Sequence, residues 1–326
     1  MKNVSNKQSI INVFYGSILI AVILGTTYFI YIANKNKQRV SYTSPTLNSP
    51  TLKNTATSSP KQTPSFHVAF KIVNVYKNNS ISSEVVTQAI YGEPVTILDR
   101  QNSWVKVSLP DQFDYQGWIQ DIHVKGIFKQ ENRDYQIISV LSAKIRKQPR
   151  EDAPVLEELP IGTVVESELS QVDSRFTLVR LLNGQKGYID STKILNYSKT
   201  NASKVSGSHI IETASQFLGK PYFWGGMSAS GVDCSGFVHT VFKIHGLRLH
   251  RDADLQYFYD GTNINDKELL PGDLVFFQTY KPGPSHVGIY VGNRMFLQAS
   301  SSQGVSYGSL DAPYFSQRFL GAKRII

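Results

Sequence analysis

One cysteine, Cys234, in a chain of 326 residues excludes an intramolecular disulfide and a zinc site of the multi-cysteine kind. What remains for the thiol is packing as a small hydrophobe or service as a nucleophile. It stands in GVDCSGF, whose glycines, aspartate and serine suit a turn into a helix better than a packed interior. No H-E-x-x-H spacing occurs, so His239, His245 and His250 are read as ordinary structural histidines, and no metal or cofactor is implied. Acidic residues are the minority, 25 against 34 Lys and Arg, and the formal charge of +9 suits an anionic setting such as nucleic acid, lipid headgroups or an acidic wall polymer. No run of clustered Lys and Arg with interleaved aromatics appears after the first 65 residues, which argues against nucleic acid as partner.

Residues 10–32, IINVFYGSILIAVILGTTYFIYI, lack any charged side chain and are long enough to cross a bilayer as a helix. Lys2 and Lys7 precede the run, but it is long for a cleavable signal and no clear A-x-A site follows, so residues 1–40 are expected to be an uncleaved transmembrane anchor. Cleavage would instead give a secreted protein. Lys35, Lys37 and Arg39 on the far side leave the orientation unset by charge. Residues 41–65 are rich in Ser, Thr and Pro with few large apolar side chains, the composition of an extended linker. The expected order is anchor, stalk, payload, with the payload on the extracytoplasmic face of the membrane.

Between 66 and 196 short strands separated by turn residues replace helical periodicity. The pattern repeats: Gly92 corresponds to Gly162 and Gly117 to Gly187 at the same interval, YGEPVTI to PIGTVVE, and QGWI to KGYI. Two small related β-barrels are expected, at 66–130 and 131–200. Trp104, Trp118 and Tyr188 read as aromatics of the core or a strand face. The rule of a glycine, a hydrophobic pair and an aromatic resembles bacterial SH3-like domains, which bind and rarely catalyse.

Residues 205–326 change character. SHIIETASQFLGKPY predicts a helix capped by Ser208, with Ile210, Ile211, Ala214, Phe217 and Leu218 on one face. Cys234 then opens a second helix, SGFVHTVFKIHG, where first-turn N–H groups and the helix dipole would stabilise a thiolate and lower the thiol pKa. PSHVGIYVG places His286 at the start of an alternating strand, and RMFLQAS places Gln298 inside an apolar one. Cysteine, histidine, then an amide is the order of a papain-type thiol hydrolase.

PYFWGG, GVDCSGF, RDADLQ, LLPGDLVFF, SHVGIYVG and FLQASSSQGV together resemble the NlpC/P60 family of peptidoglycan peptidases over essentially all of 208–326. With the two barrels, the payload is similar to the γ-D-glutamyl-L-diamino acid endopeptidases of that family. The resemblance implies an α+β protein, with a papain-like catalytic domain behind two SH3-like barrels and an N-terminal transmembrane helix. It implies stem peptides of peptidoglycan or free murein peptides as substrates. Cys234 would be nucleophile, His286 base, and Gln298 would stand where histidine is commonest, accepting from the imidazole Nδ1–H. Tyr115, Tyr222, Asp233, Ser235, Asp252 and Ala253 would surround the substrate, with Asp233 accepting from an ammonium and Arg251 reading equally well as a surface charge. In relatives with tandem barrels a glutamate before TQ-x-x-YG helps bind a free N-terminal amine; here Val86 takes that place, and Glu84 is too far along a regular strand without a bulge. A wall-binding adaptor with a decayed site, and an acyltransferase using the same thiol, are the competing readings.

Overall fold

The computed structural model describes residues 65–127, 134–168, 175–197 and 205–326. The expected anchor and all of the expected linker except Ser65 lie outside these residues; Ser65 itself opens the first strand. Among the described residues no helix is long and apolar enough to cross a membrane. Lys61–Ile326 forms one compact unit.

The repeat read from glycines is a repeat of topology. β1 (Ser65–Val68), β2 (Ile72–Tyr76), β3 (Val85–Ile90), β4 (Pro94–Gln101), β5 (Trp104–Leu109), β6 (Tyr115–Gln120) and β7 (Val124–Ile127) form a sheet of order β3-β2-β6-β5-β4-β1-β7. A second set follows, β8 (Asp134–Ile138), β9 (Ser142–Arg146), β10 (Val155–Pro160), β11 (Val164–Ser167), β12 (Phe176–Arg180), β13 (Lys186–Asp190) and β14 (Ile194–Asn196). Its order is β10-β9-β13-β12-β11-β8-β14, the same arrangement strand for strand. Gly117 and Gly187 recur because two strands approach closely there. A Cβ on Gly117 would stand 2.5 Å from Val75 Cγ1, and one on Gly187 would stand 2.5 Å from Ile145 Cγ2. Each barrel closes around its own aliphatic core, Val73, Val75, Val105, Val107 and Ile119 in the first and Ile138, Ile145, Leu159, Val179 and Ile189 in the second. Trp104, Trp118 and Tyr188 are half-buried on strand faces, as read.

The third part is a helix layer on an antiparallel sheet. β15 (Met227–Ser228) and β16 (Gly231–Val232) pair as a short antiparallel hairpin, and β17 (Thr262–Ile264), β18 (Leu274–Phe277), β19 (His286–Gly292), β20 (Met295–Ser300), β21 (Gly304–Ser309) and β22 (Phe319–Arg324) take the order β17-β22-β18-β19-β20-β21. α1 (Gly207–Ser215) is capped by Ser206, two residues before the expected Ser208, because a capping box forms between Ser206 and His209. Leu218 is exposed rather than on the buried face, since the helix ends before it. α2 (Cys234–Ile244) is buried along its whole length, packed between α1 and the sheet. Phe237, Val238, Val241 and Phe242 fill the shared core with Leu274, Phe276, Val287, Ile289 and Leu297. α3 (Ala253–Tyr259) follows. Burying α2 against β19 and β20 brings the first residue of the helix, Cys234, to the backbone N–H of Val287, the second residue of β19.

Candidate active site

Asp233 ends the chain's approach to α2 as its N-cap, accepting from Gly236 N–H at 2.7 Å. Cys234 is therefore the first helical residue, as its neighbours predicted, but it is 7 % exposed and faces a carboxylate. Burial, then the Asp233 charge, pushes the thiol up to about 12, while N–H bonds from Val287 and Ser235 pull the other way. The expected lowering by the helix terminus is overturned, because a helix start is visible in sequence and desolvation is not. The bond from Val287 N–H sets the thiol beside the residue that follows His286 in β19.

His286 and Gln298 sit on neighbouring strands, where Gly288 pairs with Gln298 in the β19–β20 register. The imidazole Nε2 lies 2.6 Å from Gln298 Oε1. An amide oxygen only accepts, so Nε2 carries the proton and Nδ1 is left as the bare, basic nitrogen. The contact uses Nε2, not the Nδ1 expected from sequence, since a ring's rotamer cannot be read from strand alternation. Burial lowers the His286 pKa, with the Gln298 bond opposing it. The site at rest is thus a neutral thiol and a neutral imidazole.

Cys234 opens onto a cavity of about 310 Å³. Its walls include Tyr115, Tyr222, Asp233, Ser235, Asp252 and Ala253, all six of the residues expected around a substrate. Val86, Glu84, Lys77, Trp224, Asp254, Tyr280 and Lys281 also line it. Burial and the nearby thiol raise the Tyr222 pKa, so its hydroxyl stays protonated and can donate at neutral pH. Tyr115 arrives from the first barrel and gives its hydroxyl to Asp252 Oδ1 at 3.4 Å.

The acids divide differently from the expectation. Asp233 accepts from Gly225 and Gly236 N–H and is gripped by both Arg251 Nη atoms at 3.0 and 2.7 Å, so its charge is matched within the protein. Arg251 is no surface charge; it is 1 % exposed. Asp252 caps α3 without a side-chain bond to the helix, leaving its carboxylate turned to the cavity with Tyr115, and burial raises its pKa. Glu84 also reaches the cavity. The β2–β3 register runs Val75 to Thr87 and then Tyr76 to Val85, so Val86 is the extra residue of a bulge. That bulge lets Glu84 face the site, held by Trp224 Nε1–H at 3.1 Å and Lys77 at 3.3 Å. A carboxylate two residues before Val86 therefore lines the cavity, where a regular strand would have left it out of reach.

The histidines outside the site have ordinary partners: His239 Nδ1 on Leu249 O at 2.9 Å, His245 on Thr213 at 2.9 Å, and His250 on Asp260 at 2.7 Å. Sequence reasoning left Arg251 open between site and surface and missed Trp224 and Tyr280. The aromatic pair, 5.6 Å apart and edge to face, forms one rim of the cavity.

Residues 219–324 match the NlpC/P60 family, and residues 75–123 match the bacterial dipeptidyl-peptidase SH3 domain. A γ-D-glutamyl-L-lysine dipeptidyl-peptidase of Bacillus cereus is 29 % identical over 260 residues, 75 % of this chain and 76 % of that one. A probable endopeptidase NlpC of Escherichia coli is 48 % identical over 109 residues, 33 % of this chain and 70 % of that one. The crystal structure of an NlpC/P60 family protein from Bacillus cereus superposes with a TM-score of 0.70 at 24 % identity, covering 80 % of this chain and 99 % of that one.

Proposed function

The chain belongs to the NlpC/P60 family of cysteine peptidases, and from that premise we propose that it is a peptidoglycan hydrolase cutting the γ-D-glutamyl–diamino acid bond of stem peptides or free murein peptides. The observation that carries the reading is the 2.6 Å contact between His286 Nε2 and Gln298 Oε1, which leaves Nδ1 as the basic nitrogen of a residue whose chain neighbour, Val287, bonds the thiol. Cys234, His286 and Gln298 then act as nucleophile, base and orienting acceptor.

The reaction follows from the protonation states. As Cys234 Sγ bonds to the γ-carbonyl carbon, its proton passes to His286 Nδ1, so thiolate and imidazolium form together with the new bond rather than before it. The Cys234 backbone N–H and the Tyr222 hydroxyl stabilise the oxyanion. Collapse breaks the C–N bond, and the imidazolium gives its proton to the departing α-amine of the diamino acid. Water, deprotonated by Nδ1, then hydrolyses the thioester and returns the thiol.

Glu84 and Asp252, with Tyr115 between barrel and catalytic domain, form an acidic wall suited to the ammonium of an N-terminal L-alanine. A charge-assisted bond of that kind contributes about 1.5–3 kcal/mol. We assign residues 10–32 to a membrane anchor on the strength of their uninterrupted apolar run, and the proposed peptidoglycan substrate puts the site on the extracytoplasmic face. Mass spectrometry of products from L-Ala-γ-D-Glu-L-Lys and its diaminopimelate counterpart tests the bond cut. Release of L-Ala-γ-D-Glu supports hydrolysis, amide products with an added amine would point to acyl transfer, and binding without turnover would point to an adaptor. Protease shaving of intact cells tests the topology; a catalytic domain protected behind the membrane would overturn it.

A further inference from the structure

We propose that a buried polar strip of the first barrel, Thr87, Gln112 and Glu93, clamps the nucleophile helix at both ends, with Thr87 the positioning residue at the end that carries Cys234. The proposal rests on the reading of Cys234 as nucleophile.

At the N-terminal end the clamp begins with Asp233, whose carboxylate caps α2 and is held by Arg251. Arg251 is buried, and its Nη atoms are taken by Asp233 and Ser235. Its third nitrogen, Nε, donates to Thr87 Oγ1 at 2.8 Å, across the boundary between catalytic domain and barrel. A buried ion pair is held in place only when its spare donors are satisfied, and Thr87 supplies that partner from outside the catalytic domain. The Thr87 hydroxyl passes its own proton to Gln112 Oε1 at 2.8 Å, and Gln112 Nε2 donates to Glu93 Oε1 at 3.0 Å.

The strip then meets the other end of α2. Lys243, in the last turn and 4 % exposed, bonds Asp111 at 3.2 Å, and Glu93 faces it from the same side. Asp111 precedes Gln112 in the chain, so one short loop reaches both ends of the helix. Burial opposes the Lys243 charge, but Glu93 and Asp111 hold its pKa above the ordinary lysine range, so the ammonium keeps its charge.

Loss of the Thr87 hydroxyl leaves Arg251 Nε buried without a partner and loosens the guanidinium on Asp233. The thiol would feel this, because the Asp233 charge raises its pKa and Arg251 lowers it. The charged and titratable groups that act on the thiol are Asp233, Arg251, Tyr222 and Tyr280, and Tyr115, Asp252, Asp254, Glu84, Lys77 and Lys281 line the same cavity.

The test uses the full chain with Thr87→Val and Thr87→Ser, reading iodoacetamide alkylation of Cys234 against pH together with kcat and KM for L-Ala-γ-D-Glu-L-Lys. Thr87→Val should shift the alkylation profile to higher pH and lower kcat by about tenfold with KM within about twofold, and Thr87→Ser, which keeps the hydroxyl, should restore both. A folded Thr87→Val protein with the wild-type alkylation profile and kcat overturns the clamp. So does a loss confined to KM, or a Thr87→Ser protein as impaired as Thr87→Val. If Thr87→Val does not fold, Thr87→Ala, which leaves room for a water on Arg251 Nε, is judged by the same results. Alkylation needs no peptide, so a wild-type protein that alkylates at Cys234 but leaves the peptide uncut refutes the substrate assignment while the clamp is still decided.

Discussion

Gln298→Ala removes the one hydrogen-bond partner of the His286 ring among the described residues. His286 is 8 % exposed and Gln298 3 %, and the rings of Phe277 and Phe315 lie 6.1 and 6.4 Å from the imidazole, so water has little room to replace the amide. An unsatisfied buried N–H costs about 1–3 kcal/mol, and if that appears in the transition state, where Nε2–H must balance a positive ring, kcat/KM falls roughly 5- to 150-fold. The same bond raises the His286 pKa against burial. The base works as the neutral ring, so activity is lost as pH falls through that pKa. Gln298→Ala should therefore move the acid limb of kcat/KM to lower pH, and Gln298→Glu, which favours the imidazolium, should move it to higher pH. Gln298→His keeps an acceptor and should retain most activity. The assay is kcat/KM for the tripeptide from pH 4 to 9. Wild-type kcat/KM in Gln298→Ala, or limbs that stay fixed in both substitutions, would refute the orienting role.

Cys234→Ala and His286→Ala should each remove nearly all turnover with both barrels still folded, and a thiol alkylating agent should abolish activity while EDTA does not; zinc-restorable loss in EDTA would overturn the thiol mechanism. Glu84→Gln and Asp252→Asn should each reduce the preference, measured as kcat/KM, for the tripeptide with a free N-terminal amine over its N-acetylated form, whereas Val86→Glu should change it little because the bulge already presents Glu84; equal kcat/KM for the two peptides in the wild type would remove the acidic wall from amine recognition. His239 is fully buried, its Nε2 has no partner among the described residues, and burial pulls its pKa down to about 3. The unfolded chain takes up that proton below the ordinary histidine value while the folded one does not, so stability falls with pH by up to about 1.4 kcal/mol per unit from this group. Urea unfolding of His239→Leu between pH 6.5 and 4 should show a correspondingly flatter loss than the wild type.

What could be read from the sequence was what is local. Cys234 at a helix start follows from its turn-forming neighbours, His286 at a strand start from alternation after a Gly-Pro loop, and the second barrel from glycines at a fixed interval. What escaped depended on distant partners. Arg251 looks like a solvated cation in HRDAD because Asp233 lies 18 residues away and Thr87 lies 164 away. The bulge at Val86 escaped because one extra residue in a strand changes side-chain direction without changing composition. The thiol's protonation escaped because helix-terminal position is written in the sequence and the depth of burial is not.

The duplicated barrels explain why only one of them shapes the site. Both share a frame, yet they meet the catalytic domain in different chemical terms. The second barrel contributes Ile137 and Ile161, with Leu141, Val164 and Tyr197 at the margin, to the same apolar core as α2, and Gln216 adds one amide bond to Ser139 O at 3.0 Å. The first barrel contributes nothing to that core; it reaches in through Thr87, Gln88, Tyr115 and Asp111. Part of the difference traces to one hairpin. In the first barrel Val107 pairs with Gly117 and in the second Val179 pairs with Gly187, so the segment between the paired residues is two residues longer in the first. The longer loop holds Phe113 and Asp114 at φ 54° and 59°, a left-handed conformation that costs free energy for residues other than glycine. Phe113 offsets that cost by stacking on His250 at 4.1 Å beneath the Arg248 guanidinium. The strained turn is where Asp111 enters the interface and from which Tyr115 leaves for Asp252. Apolar burial is insensitive to small rotations, whereas a chain of hydrogen bonds is lost when its groups separate by an ångström or so. The second barrel is accordingly a fixed support behind the nucleophile helix, and the first is the part whose seating the thiol can sense.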